Sequence, residues 1–249
     1  MSPPTAGIVH LWQARWPDQP DPKLLPEARR LLDSIELQRA DRFHFERDQR
    51  RFIFARGMLK SVLTSYLNCP ASAIELVALP HGKPTLATAR NPQGIEFNLS
   101  HSGNRAAIAV TSGTPVGVDI ELMERLRDWQ SLADHVFSAQ ELAELVGLPD
   151  ARRFQGFFNG WTRKEAYLKA IGIGLIDDLK SIAVSLDPER PARLVRAWEK
   201  SDHTGDWQLH SFTPEEGYTG ALAIQNRAAQ VEAFTFSPEG FIGLAGGRG

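Results

Sequence analysis

The chain has 249 residues, 42% of them hydrophobic and 23% charged, with 28 Lys and Arg against 30 Asp and Glu. A formal net charge of −2 on this composition excludes a disordered or collagen-like chain, and a polybasic nucleic-acid binder as a whole. The single cysteine, Cys69, excludes an intrachain disulfide and a multi-cysteine metal site, and no apolar run is long enough to span a membrane.

In chain order, alternating and apolar runs predict strands at Ile8–Trp12, Ile74–Leu79, Ile95–Leu99, Ala106–Thr111 and Val116–Glu121. Further strands are predicted at Ile182–Leu186, Leu194–Trp198, Trp207–Phe212, Tyr218–Ile224 and Val231–Phe236. Helical spacing covers Pro26–Ala40, with Leu31, Leu32 and Ile35, and Gln49–Leu67, with Phe52, Leu59, Leu63 and Tyr66. It recurs over Asp150–Ile171, and Ser138-Ala-Gln-Glu141 reads as a capping box. The expected class is α+β. The turn cluster Ser112-Gly-Thr-Pro115 divides an N-terminal subdomain, 1–113, from a C-terminal one, 114–249. Residues 17–26 hold four prolines and read as a connector, and the Gly-rich tail Gly246–Gly249 is expected to fray. The N-terminus lacks the apolar stretch of a secretory signal, so the expected compartment is the cytoplasm.

Asp119 and Glu121, two apart on the strand Val116-Gly-Val-Asp-Ile-Glu121, share one face, while Ile120 points the other way. Two carboxylates held together repel unless a cation lies between them, and a hard cation with oxygen ligands is the natural partner. A solvated acidic strand end is the plain alternative. On the long helical pattern, Trp161, Glu165 and Lys169 recur every four residues, which suits either a functional row or an ordinary exposed Glu–Lys pair. Between Arg39 and Lys60 stand seven basic residues and three acids, an excess suited to phosphate oxygens or to a solvated helix face. His81-Gly-Lys-Pro84 forms a turn at which Gly82 permits close approach. Phe97-Asn-Leu-Ser-His-Ser-Gly103 ends a strand with Ser100 and His101 on opposite faces, so these two do not pair as nucleophile and base. P-loop, hydrolase-elbow and dinucleotide signatures are absent.

Taken together, Gly82-Lys-Pro84, Phe97–Gly103, Val116–Glu121 and Phe157–Leu175 resemble the motifs of the 4′-phosphopantetheinyl transferases, in particular their long, monomeric, Sfp-type class. The resemblance spans residues 81–175, with a weaker match over 36–60. It implies two similar α/β halves in pseudo-two-fold arrangement with the cofactor between them. It also implies the activity of a holo-[acyl-carrier-protein] synthase, moving the 4′-phosphopantetheine of coenzyme A to a serine of an apo acyl or peptidyl carrier protein and releasing adenosine 3′,5′-bisphosphate. Carriers of fatty-acid, polyketide and nonribosomal-peptide synthesis all fit.

The same resemblance implies that Asp119, Glu121 and Glu165 hold one Mg²⁺, with Mn²⁺ equally compatible with such ligands. Glu165 would take the proton of the carrier serine, directly or through water, and Lys169 would contact the pyrophosphate. Asp119 completes the catalytic set. His101 and Arg39 fall at positions for the 3′-phosphate, with Arg51 a further cation, and Gly82, Lys83, Pro84 and Ser100 line the nucleotide side. Lys164 receives a supporting role at most. Phe52 stands where relatives can carry a small hydroxyl residue, and Glu36 where they carry a base. The implied molecule is a monomer that needs neither nucleic acid nor membrane. A non-catalytic coenzyme A or anion-binding module, a basic RNA-binding domain and a Mg²⁺-dependent phosphohydrolase are the competing readings.

Overall fold

The structure is a computed structural model that describes residues 1–16, 21–124, 126, 128–174, 178–198 and 204–241. Residues 17–20 of the expected connector, Leu175 of the long motif and the tail Gly246–Gly249 lie outside the described residues. The elements in order are β1 (Ile8–Arg15), α1 (Leu24–Arg30), α2 (Ser34–Ala40), α3 (Glu46–Leu67), β2 (Leu76–Ala78), β3 (Pro84–Leu86), β4 (Ile95–Ser102) and β5 (Arg105–Ser112). Then follow β6 (Val116–Leu122), α4 (Trp129–Val136), α5 (Ala139–Gly147), α6 (Asp150–Ile171), β7 (Ala183–Val184), β8 (Leu194–Arg196), β9 (Gln208–Phe212), β10 (Tyr218–Ile224) and β11 (Gln230–Phe236).

Among the described residues the fold is mixed α+β and runs one plan twice. A first strand leads to three helices, then a pair of short strands, then a hairpin, and the series repeats from β6. The larger sheets have the orders β11-β1-β5-β4 and β6-β10-β9, so each half places its first strand beside its last. The third helix of each half, α3 or α6, has 22 residues. β11 has no counterpart in this plan. It leaves the second sheet and pairs in parallel with β1, Val9 opposite Val231 and Trp12 opposite Phe234.

Alternation along the strands builds three cores. Val9, Leu11, Ala107, Ala109, Val118, Ile120 and Leu222 pack the two sheets face to face. On the far side of the first sheet, Ile108 and Val110 meet Met58, Leu59 and Leu63 of α3. Beyond the second sheet, Ala221 and Ala223 meet Tyr167, Leu168 and Ala170 of α6.

Several local expectations are met and some corrected. α6 and β10 have the predicted bounds, and the Ser138–Glu141 capping box opens α5. The pattern over Pro26–Ala40 is two helices, because Asp33 and Glu36 form a second capping box that starts α2 afresh. The helix α4 and the strand β3 were not anticipated. Among the described residues no helix is long and apolar enough to cross a membrane.

Candidate active site

The site forms where β6, the edge of the second sheet, lies against β4, the edge of the first. No ladder joins these edges; side chains of β4 do so instead. Asn98 Oδ1 accepts from the Val118 N–H at 2.9 Å, Ser100 Oγ donates to Asp119 Oδ1 at 2.9 Å, and Ser102 Oγ donates to Glu121 Oε2 at 2.8 Å. Residues 98, 100 and 102 share a face because a strand alternates, and His101 points away, exposed. The turn at Gly103 needs its glycine, since a Cβ there would meet Tyr218 Oη at 2.3 Å on a backbone with φ +56°.

On the other side of β6, the face of Gly117, Asp119 and Glu121 meets α6. A Cβ on Gly117 would lie 2.0 Å from the Ala166 carbonyl oxygen and 2.4 Å from the Ala170 nitrogen. That close approach places Glu165 and Lys169, the residues just before those alanines, over the carboxylates. Lys169 Nζ donates to Asp119 Oδ1 at 2.5 Å and to Ser100 Oγ at 3.1 Å. The structure thus brings Ser100, Asp119, Glu121, Glu165 and Lys169 together.

The electrostatics follow from this crowding. Burial, then the charges of Asp119 and Glu121, raise the pKa of Glu165 to about 7, with Lys169 opposing. Burial and the charge of Asp119 also raise Glu121, while the bond from Ser102 opposes the rise. Burial alone would lower Lys169, but Asp119, Glu165 and Glu121 outweigh it and hold its pKa above the ordinary value.

Asp119 is 2% exposed, yet among the described residues its Oδ2 has no hydrogen-bond partner, and neither does the buried Glu165 Oε1. Orphaned buried oxygens are costly and are normally satisfied by a ligand or an ion. Oxygen donors of this kind suit Mg²⁺ or Mn²⁺. Among the described residues no three acidic, His or Cys side chains are already gathered as a metal cluster. The Lys169 ammonium sits on Asp119 and supplies the local positive charge.

A cleft of about 340 Å³ opens beside Glu121. Arg51, Ser102 and Glu124 give it polar walls, and Leu122, Leu132, Phe157, Phe158 and Trp161 an apolar one. His101 is reached from the basic helix. Withdrawal from bulk water and four cations, Lys169, Arg51, Arg56 and Arg39, pull its pKa down to about 4. His101 is itself exposed, and the surrounding cations oppose its protonation. Phe52 lies under two of them, with its ring centroid 5.3 Å from Arg39 Cζ and 6.0 Å from Arg56 Cζ. Glu36 is buried and paired, 3.3 Å from Arg56 Nε and 3.3 Å from Lys60 Nζ.

Gly82 sits at φ +84° in the turn joining β2 to β3, with open space where a Cβ would be, and Pro84 begins β3. Gly172 and Gly174 pack against Lys83 and His81, so the two turn motifs touch. Lys83 Nζ donates to the carbonyls of Val116 at 3.2 Å and Ala170 at 3.1 Å, tying this turn to β6 and the end of α6. Burial lowers its pKa, opposed by Glu96. Lys164 is wholly structural. Its ammonium is buried against Glu141 Oε2 at 2.8 Å and the carbonyls of Val136, Leu179 and Ile182. Ser102, Asn98, Gly117 and Arg56 lie within the motifs and the basic run read from the sequence, but that reading gave them no role in the site. The period-two Asn98-Leu-Ser100-His-Ser102 pattern was the available signal for two of them.

Comparison with known proteins follows the same outline. A family model described as the 4′-phosphopantetheinyl transferase superfamily matches residues 115–223, and one described as 4′-phosphopantetheinyl transferase, N-terminal, matches residues 14–113. The 4′-phosphopantetheinyl transferase HetI of Nostoc sp. is 38% identical over 216 residues, 87% of each chain. A phosphopantetheinyl transferase of Thraustochytrium sp. is 30% identical over 216 residues, 81% of this chain and 73% of its own. The 4′-phosphopantetheinyl transferase psf-1 of Bacillus pumilus is 30% identical over 190 residues, 76% and 77% of the two chains.

Proposed function

The chain belongs to the 4′-phosphopantetheinyl transferases, and from that premise we propose how its cleft works and what it needs. It is an enzyme that transfers the 4′-phosphopantetheine of coenzyme A to carrier proteins. Our reading of the finer points is a long, monomeric, Sfp-type enzyme of the cytoplasm. Its subdomains are 1–113 and 114–249, with β11 returning to the first sheet.

The observation that carries the mechanism is a pair of oxygens without hydrogen-bond partners among the described residues, Asp119 Oδ2 and Glu165 Oε1, in a cluster where Lys169 binds the other Asp119 oxygen, beside an open cleft. Asp119, Glu121 and Glu165 would hold one Mg²⁺, whose chemistry is neutralisation of charge on the phosphoryl oxygens. Ser100 and Ser102 fix two of these carboxylates by hydrogen bonds, so they are aimed before any ligand arrives.

The carrier serine hydroxyl attacks the phosphorus that bears pantetheine. The new bond is serine O–P, and the bond broken joins that phosphorus to the bridging oxygen of adenosine 3′,5′-bisphosphate. Glu165 accepts the serine proton, directly or through water. With Mg²⁺ held by the same carboxylates, the ion's charge would lower the pKa of Glu165 and make it a weaker base, which favours the route through water. Lys169, released from Asp119 when the site fills, stabilises the bridging oxygen as negative charge gathers there. His101, Arg39 and Arg51 take the 3′-phosphate. Gly82 and Pro84 shape the nucleotide side, and Lys83 braces that turn through its backbone bonds.

The test is the intact mass of an apo acyl carrier protein after incubation with enzyme, coenzyme A and Mg²⁺. A gain of one phosphopantetheinyl group, lost with EDTA, is expected. No gain on fatty-acid, polyketide or peptidyl carriers would overturn the transferase reading.

A further inference from the structure

Two guanidiniums share one aromatic ring in this chain. Arg39 and Arg56 both lie over Phe52, at 5.3 and 6.0 Å from its centroid. The ring attracts each, but like charges brought to one plate repel. Each lies within electrostatic reach of His101, as do Arg51 and Lys169. The counter-charges at hand are Glu36, Asp33 and Asp48. Glu36 reaches Arg56 Nε at 3.3 Å without hydrogen-bond geometry, and it is shared with Lys60. Asp48 lies 3.6 Å from Arg51. Arg56 has only 15% of its side chain exposed, yet among the described residues its guanidinium makes no hydrogen bond. A desolvated Arg fork with unused donors, beside other cations, is built for an anion with several oxygens.

We infer that Arg56 is a phosphate-binding residue of this chain, gripping the terminal phosphomonoester of the nucleotide together with Arg39, while Phe52 and Glu36 position it. The inference rests on the coenzyme A reading above and adds a residue to that site. It also explains the two departures at 36 and 52 as parts of one unit. Phe52 replaces a direct polar contact by a plate that orders two guanidiniums. Glu36, rather than offering a charge to the ligand, anchors the arginine that does. The carboxylate cluster is reached through Ser100, and the phosphomonoester site through His101. Their opposite faces on β4 keep the dianion away from Asp119.

The test compares binding of coenzyme A with that of dephospho-coenzyme A, which lacks only the 3′-phosphate, by titration calorimetry. The wild type is expected to prefer coenzyme A. Arg56→Gln should weaken coenzyme A by about 10- to 100-fold, the range of one lost charge-assisted contact, and leave dephospho-coenzyme A within about twofold. Phe52→Leu should weaken coenzyme A alone by about 3- to 10-fold. Arg56→Lys keeps the charge next to Glu36 and so guards against misfolding; it should give an intermediate loss confined to coenzyme A. Equal losses for both nucleotides, or no loss for either, in folded variants would overturn the inference and leave the transferase reading standing. A wild-type protein that binds neither nucleotide would overturn the transferase reading and this inference with it.

Discussion

Replacing Gly117 by alanine should uncouple the site without touching any charged group. The added Cβ would lie 2.0 Å from Ala166 O and 2.4 Å from Ala170 N. Both are backbone atoms, so no side-chain rotation relieves the clash. α6 must withdraw from β6 by about 1 Å before the contact becomes tolerable. Overpacking of this kind costs about 1–3 kcal/mol, which for a chain of this size lowers Tm by roughly 2–12 °C. The chemical effect is larger. Glu165 and Lys169 ride on the displaced turn, and a misplacement of about 1 Å can cost on the order of 100-fold in rate. The assay is kcat for carrier modification, with Tm and circular dichroism on the same sample. A folded Gly117→Ala enzyme with wild-type kcat would refute the claim that the β6–α6 approach sets the catalytic geometry.

Other outcomes follow from the same charges. Lys164→Ala removes one partner of a buried pair and strands Glu141, so it should destabilise the protein by about 3–5 kcal/mol, read by urea denaturation. An unchanged midpoint would contradict a structural role for Lys164. The native Glu165 pKa of about 7 lies above its ordinary 4.5, so the folded metal-free protein holds a proton that the unfolded chain has lost. That contribution to stability is complete below pH 4.5 and disappears as the pH rises through 7, a swing on the order of 3 kcal/mol. Between pH 5 and 8, Tm should therefore fall more for the wild type than for Glu165→Gln; parallel profiles would refute the shift.

What the sequence made legible was periodic. Asp119 and Glu121 were separable from Ile120 because a strand alternates, and Glu165 and Lys169 fell together because four residues make about one helical turn. What it hid depended on juxtaposition. Ser102 matters only because β4 lies beside β6, and no spacing rule predicts that edge-to-edge seam. The basic run from Arg39 to Lys60 read as one surface. In the fold, Lys60 is buried on Asp33, Glu36 and the Ile74 carbonyl, while Arg39, Arg51 and Arg56 converge near His101. Lys83 read as lining the nucleotide side, but its ammonium bonds the backbone carbonyls of Val116 and Ala170, and Lys164, given a supporting role at most, is buried against Glu141 and three carbonyls. The break before α2 was readable after all. Asp33-Ser-Ile-Glu36 has the same capping spacing as Ser138–Glu141, but the apolar positions Leu31, Leu32 and Ile35 masked it.

On the proposed mechanism the Asp119, Glu121 and Glu165 cluster carries phosphopantetheinyl transfer, with Glu165 taking the serine proton. Single-turnover conversion of an apo carrier, followed by intact mass at saturating coenzyme A and Mg²⁺, compares wild type with Glu165→Gln directly. A loss of about 100- to 10,000-fold, the usual worth of a positioned base, is expected in a variant that keeps its fold. Wild-type conversion by the folded variant would contradict it.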